Sequence, residues 1–437
     1  MKTLYFCASA LALVFALPVA AQDHQGHDGH DHGQMDHSQH GTKPEAAEPH
    51  GDHQIDTAGP ADGSGTSRLP AAESGHHSGL HIDAGNGWMV MLHGYAWGVY
   101  TDQSGPRGDD KAYVQSMAML SGEKDTGWGR FQLKSMMSLE PLMSNRGYPN
   151  LFATGETAGG EPLVDRQHPH DLFMELAARV DINVADDASV FLYGGPVGEP
   201  ALGLSAFMHR GSAKLNPEAP ITHHWFDSNH ITYGVGTLGF ASHKFQFEGS
   251  IFTGREPDER RWNIEKPRFD SWSVRATWNP SPSWALQTST GRLKTPEFFI
   301  HPDEDEQRTT ASVHYANGKG LSAMLAFSAK DRKPGPTLTA WLAEANWDID
   351  DHHTLFGRIE NVKNDELFPE HTDPLHEVPF RVSKFQAGYA YRLPLTDDLN
   401  LAFGGTVSAF AKPDALDTAY GNKPMGATLF AKLSLGQ

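Results

Sequence analysis

The sequence predicts an all-β protein, a transmembrane antiparallel β-barrel of about sixteen strands behind a disordered N-terminal arm. Three observations lead there. The first is strict two-residue alternation: between Asp270 and Asn279, Trp272, Val274, Ala276 and Trp278 occupy one face and Ser271, Ser273, Arg275 and Thr277 the other. Such a strand fits lipid on one side and a polar lumen on the other. The second is that short and long connections alternate along the chain. The third is an abrupt change of composition near Trp88, where a polar His/Asp-rich stretch gives way to segments with regular apolar spacing.

Residues 1–21 read as a secretory signal. Lys2 supplies the positive start, an apolar run follows from Leu4 to Leu17, and Val19-Ala20-Ala21 forms a small-residue cleavage site. The only cysteine, Cys7, lies inside this segment, so the remainder has neither disulfides nor thiolate metal sites. Residues 22–87 carry eleven acidic and two basic side chains and almost no large apolar ones. A stretch of that kind cannot bury enough apolar surface to fold alone, which predicts a disordered periplasmic arm. The chain's net charge of -19 argues against nucleic acid as a partner.

From residue 88 to 437 the periodicity predicts strands at 88–101, 111–120, 129–139, 171–182, 188–195, 230–240, 243–253, 270–279, 284–293, 307–317, 320–330, 337–347, 353–363, 382–393, 398–411 and 424–435. Short links fall near 183–187, 240–243, 280–283, 317–320, 348–352 and 394–397. Long ones fall near 140–170, 196–229, 254–269, 294–306, 364–381 and 412–423. Short periplasmic turns and long outer loops are the asymmetry of a barrel in the outer membrane of a Gram-negative cell envelope, with lipid as its surroundings. The same pattern puts Arg130, Lys134, Glu175, Arg179, Lys244, Glu248, Arg275, Glu344, Arg358, Glu360, Lys384 and Arg392 on the lumen face. A barrel of this size is expected to leave an aqueous lumen.

Two groups of residues could carry chemistry. In the arm, His24, His27, His30, His32, His37 and His40 are interleaved with Asp23, Asp28, Asp31 and Asp36. Imidazoles and carboxylates at such close spacing can wrap a divalent ion without a preformed pocket, and N/O donors suit Zn²⁺, Cu²⁺ or Ni²⁺. The second group lies in the two longest loops, which flank one strand pair and should emerge side by side. One loop ends Asp165-Arg166-Gln167-His168-Pro169-His170-Asp171; the other carries His209, Arg210, His223, His224, Trp225, Asp227 and His230. Folded inward, these loops would bring Asp165, His168, His170, Asp171, His209, His223, His224, Asp227 and His230 together as metal ligands, or as a hydrogen-bonded plug. The run Asp303-Glu304-Asp305-Glu306 falls in an outer loop, where it is expected to bridge divalent cations to lipid phosphates or to stay solvated.

There is no G-x-S-x-G, H-E-x-x-H or P-loop, so no enzymatic activity is expected and no cofactor is required beyond a divalent metal such as Cu, Zn or Ni. Met35-Asp36-His37-Ser38 and the surrounding histidines resemble the N-terminal segment of outer-membrane copper-resistance B proteins. The barrel resembles an uncharacterised family of porin-like bacterial outer-membrane barrels through Asp-Arg-Gln-His-Pro-His-Asp at 165–171, Phe-Met-His-Arg at 207–210, His-His-Trp at 223–225 and Gly-Arg-Glu-Pro-Asp-Glu at 254–259. That likeness implies a fold and brings no activity with it. The functional expectation is a porin-like barrel with a divalent-metal-binding arm, passing or gathering metal ions or small solutes. The alternatives are a plugged barrel that sequesters metal without conducting, and a barrel enzyme using the loop histidines.

Overall fold

Alternation decides which side of each strand meets lipid. In the strand Ser271–Ser281, Trp272, Val274 and Trp278 lie exposed on the outer face, whereas Ser273, Arg275 and Thr277 are buried inside. Leu238, Phe247, Ile251 and Leu429 continue the apolar belt around neighbouring strands. Aromatic pairs line one rim: Phe245 stacks on Trp278, Trp284 packs against Tyr315 at 4.7 Å, and His353 lies between Tyr389 and Tyr391. An apolar band with an aromatic girdle is what a barrel needs at a lipid–water boundary.

The computed structural model describes residues 60–76 and 79–436. Within them a closed antiparallel barrel of 16 strands forms. Its strands are β1 (Trp88–Gln103), β2 (Asp110–Thr126), β3 (Gly129–Met137), β4 (Phe173–Ala185), β5 (Ala188–Gly198), β6 (Thr232–Ser242), β7 (Phe245–Phe252) and β8 (Ser271–Ser281), followed by β9 (Trp284–Leu293), β10 (Asp305–Ala316), β11 (Leu321–Lys333), β12 (Thr337–Asp348), β13 (His353–Asn364), β14 (Phe380–Pro394), β15 (Leu399–Ala411) and β16 (Met425–Leu435). Each pairs with its neighbour in sequence, and β16 closes on β1 from Gly426↔Gln103 to Leu435↔Gly94. All sixteen expected strands are present. β2 runs on to Thr126 because Ser121–Lys124, which lacks apolar alternation, pairs with both β1 and β3, and Asp125 and Thr126 pair with β3.

The predicted signal segment 1–21 and the arm as far as residue 59 lie outside the described residues. The expectation of a disordered arm reaching residue 87 does not hold for its last part. Ala61–Asp62 pairs with Arg68–Leu69, and Leu80–Gly85 pairs with β1. Residues 61–73 include the buried Ser64, Thr66, Ser67, Leu69 and Glu73. Their polar groups find partners on the barrel wall: Thr66 donates to Glu248, and Gln246 Nε2 donates to the Thr66 carbonyl at 2.6 Å. A segment too polar to fold alone is ordered by a polar wall that supplies its hydrogen bonds.

The lumen is not open at this level, contrary to the argument from strand number. Of residues 199–231, linking β5 to β6, all but Met208 and Lys214 are buried. This loop crosses the barrel. Ala201 N–H bonds Ser250 on β7, Arg210 meets Glu344 on β12, and Glu218 meets Lys384, Thr406 and Thr428 on β14, β15 and β16. Many of the expected lumen charges pair off there. Glu344 lies between Arg210 at 2.6 Å and Arg358 at 3.0 Å, and Arg275 is 2.9 Å from Glu248. Arg130 and Lys244 are corrections, since Arg130 lies at the turn end of β3 and Lys244 in the turn between β6 and β7, and both are exposed. The acidic run is a correction as well. Glu306 is buried against Arg308 and Lys330, and Asp305 pairs with Arg292 and Lys294, because β10 begins at Asp305 and turns alternate residues into the lumen.

Candidate functional site

The connection from β3 to β4 is a folded element. Tyr148–Ala158 and Glu161–Gln167 pair as a hairpin. Three of its non-glycine residues are left-handed: Phe152 (φ 68), Glu156 (φ 60) and Asp165 (φ 60). Backbone of this kind persists only where surrounding contacts enforce it. Here Phe152 N–H donates to Asp165 Oδ1 at 2.7 Å, and Tyr420 and Arg107 hold the other Asp165 oxygen. Asp165 therefore braces the hairpin and stands apart from the imidazoles with which the sequence grouped it.

From this hairpin the chain runs into His168-Pro169-His170-Asp171. The β5–β6 loop places His223 and His224 on one helical turn, His223–Phe226, and His230 on the 3-10 turn Ser228–His230. The five rings assemble around His223. Its centroid is 5.7 Å from His168, 5.2 Å from His224 and 5.3 Å from His230, and His170 is 5.3 Å from His230.

Every ring is anchored through Nδ1 to an oxygen. Nδ1 lies 3.4 Å from Glu156 in His168, 2.9 Å from Glu140 in His170, 2.8 Å from Asp227 in His223, 3.2 Å from Glu256 in His224 and 2.6 Å from the Asp227 carbonyl in His230. Carboxylate and carbonyl oxygens accept, so Nδ1 carries a proton on every ring, and on the rings that burial keeps neutral, His168, His223 and His230, Nε2 keeps a free lone pair. All five Nε2 atoms are buried with no hydrogen-bond partner. One ligand atom each from His168, His223 and His224 lies within 4.8 Å of the others. Imidazoles fixed through Nδ1 with Nε2 converging are the usual arrangement of metal-ligating histidines and the groups that orient them.

Asp227 holds two of the rings in place. It accepts from His223 and from Arg210 Nη1 at 3.0 Å, and its carbonyl takes His230. Asp171 meets Arg261 at 3.3 Å, and Arg261 also pairs with Glu156. His209 is buried with Nε2 3.2 Å from Met136 Sδ on β3. The histidines at 24, 27, 30, 32, 37 and 40 lie outside the described residues.

Burial opposes charge on every ring of the cluster. It holds His168, beside Arg261, and His230, beside His223, well below the ordinary imidazole value, and His223 below it too. For His224 the Glu256 carboxylate outweighs burial and pushes the ring up to about 9; Glu140 raises His170 in the same way. The sequence reading missed Glu140 and Glu256, which fix the His170 and His224 tautomers, and Glu156, which faces the His168 Nδ1 that the Pro169 carbonyl also meets at 3.3 Å. Glu256 sits inside the Gly-Arg-Glu-Pro-Asp-Glu motif, the one signal that pointed to it. Gly155 (φ +107) completes the cradle, because a Cβ there would lie 2.3 Å from His224 Cε1.

No family model matches the chain, and no curated protein matches it in sequence. Among solved structures it is similar to Salmonella typhi OmpF in complex with daunomycin, at 10% identity and TM-score 0.52, covering 81% of this chain and 100% of that one. It is also similar to the anion-selective porin from Comamonas acidovorans (12% identity, TM-score 0.49, 80% and 100% covered) and to Pseudomonas putida OprB (11%, 0.49, 79% and 94%). The likeness to OmpF, at such low identity, extends to the fold alone. With the apolar belt and the sixteen-strand closure, it makes this chain a porin-like barrel of the outer-membrane type.

Proposed function

We propose that this barrel is a metal-handling protein whose lumen is plugged by its own loops. It holds a divalent first-row ion, Zn²⁺, Cu²⁺ or Ni²⁺, on His168, His223 and His224, with His170 and His230 as neighbouring donors. The observation that carries this reading is the set of five buried Nε2 atoms without a partner, each ring held by an oxygen at Nδ1. Leaving a buried donor or acceptor unpaired costs ~1–3 kcal/mol, and five together are a heavy penalty unless a ligand meets them. Three imidazoles suit these borderline ions. The histidines at 24–40 would collect ions weakly and raise their local concentration.

Metal analysis of protein purified from membranes tests the proposal. A tight ion is expected in the wild type and lost when His168, His223 and His224 are replaced together by Ala, while weak binding at the arm persists. In a planar bilayer, steady porin-sized conductance should be absent. Wild-type protein with only weak sites, or with an unchanged tight site in the triple variant, overturns the reading.

A further inference from the structure

The imidazole centre is the innermost of three linked groups. His168, His223 and His224 form the first; His224, Glu256 and Glu297 the second; Glu297, His301 and Glu366 the third. In each, one ligand atom per residue lies within 4.8 Å of the others. His224 belongs to both the first and the second, Glu297 to both the second and the third.

The second group is as bare as the first. His224 Nε2, Glu256 Oε2 and Glu297 Oε2 are all buried without a partner, on residues only 2%, 5% and 6% exposed. In the third, both Glu366 oxygens lack a hydrogen-bond partner, on a residue 7% exposed. The surroundings carry surplus negative charge. Glu256, Glu297, Glu304, Glu306, Asp365 and Glu366 face three permanent cations, Lys330, Arg308 and Arg332, and the raised His224 ring beside Glu256. Lys330 binds Glu297 and stands 3.8 Å from both Glu306 and Glu366, Arg308 takes Glu306, and Arg332 takes Asp365 and Glu304. Buried carboxylates in excess of their partners are costly, and a divalent cation relieves that cost.

The third group also lies nearest solvent. His301 belongs to the β9–β10 connection, on the same rim as the two histidine loops, and the adjacent Pro302 and Asp303 are exposed.

Resting on the metal-handling reading above, we infer that these groups are successive seats on a cation route from the outer rim to the imidazole centre. An ion entering at Glu297, His301 and Glu366 keeps Glu297 as it moves to the second seat, then keeps His224 as it moves to the first. Exchanging ligands around one shared donor avoids a bare ion at any stage. Lys330 and Arg332 serve as counter-charges that yield as the ion arrives. Mixed carboxylate and imidazole donors suit the same borderline divalent ions as the inner seat.

Crystals of the full chain grown with Zn²⁺ and measured at the zinc absorption edge resolve the seats individually. Wild type should give a peak at His168, His223 and His224. The double variant His168→Ala/His223→Ala should move that peak to His224, Glu256 and Glu297. In solution, Glu297→Gln should slow the growth of the tight Co²⁺ absorption band by at least tenfold. His301→Ala, at the exposed end and so less able to harm folding, should slow it as well. A double variant with no density at the second seat, or loading as fast as wild type in His301→Ala, overturns the route and leaves the imidazole centre standing. No peak at any seat in wild type overturns the metal-handling reading itself.

Discussion

Gly155→Ala perturbs the centre without touching a ligand. The new Cβ would lie 2.3, 2.4 and 2.5 Å from His224 Cε1, Nε2 and Nδ1, against 3.4–4 Å for ordinary contact. The ring must retreat by about 1 Å, as two rigid groups in close packing cannot share that volume. Its Nδ1 is 3.2 Å from Glu256, so a displacement of this size disrupts the geometry of the bond that fixes the tautomer. Hydrogen bonds to charged groups contribute ~1.5–3 kcal/mol. Loss of an orienting partner typically lowers metal affinity ~10–100-fold. The left-handed φ of +107 adds about 1 kcal/mol of backbone strain. Gly159→Ala separates these effects: its φ is +67, but nothing lies within 4 Å of its Cβ, so it carries the strain alone. Zn²⁺ affinity, measured by competition with a chelator, should fall ~10–100-fold in Gly155→Ala and stay near wild type in Gly159→Ala. Equal affinity in wild type and Gly155→Ala, or an equal loss in both variants, refutes the reasoning.

Three further outcomes follow from the same contacts. His224, which Glu156 and Glu297 face along with Glu256, is pushed up to about 9, so a metal must displace its proton at neutral pH. Below that value affinity should rise about tenfold per pH unit for this one proton and level off above it, and calorimetry in buffers of different ionisation enthalpy should count the proton released. Arg210→Ala removes the 3.0 Å guanidinium partner of Asp227 and leaves it only His223 and the Phe207 N–H, while Glu344 retains Arg358. Breaking a buried pair costs ~3–5 kcal/mol, to be read as a lower urea midpoint, with weaker Zn²⁺ binding because Asp227 anchors His223 and His230. Deleting residues 22–59 should leave the unfolding midpoint unchanged. Deleting 22–73 should lower it, since Thr66 is then lost from Glu248 and Arg275; equal midpoints would refute a structural role for that segment.

The wall was legible because each strand writes its own environment into two-residue alternation: Trp272, Val274 and Trp278 face lipid whatever else the chain does. The plug was not. The segment 61–73 and the hairpin 148–167 carry no periodicity, and their stability comes from partners far along the chain, such as Asn364 for Thr154 and Ser205 for Ser64. Composition alone therefore read the first as unfolded. At the centre, the histidines stood out by their density in two loops. Their orienting carboxylates did not, because Glu140, Glu156 and Glu256 are scattered singly among acidic residues of no special spacing. Asp165 and His209 were grouped with the ligands for the converse reason: shared loop membership does not fix where a side chain ends up.

The inward loop also bears on how the cylinder is sealed. Its Glu218 accepts from Thr428 and its Lys214 carbonyl from Lys432, both on the strand that meets the first one at the seam. The final join is thus buttoned from within as well as zipped edge to edge. With the interior not yet seated, that last strand would lack the fasteners that Glu218 and Lys214 supply, so the strength of the seam depends in part on the loop inside it.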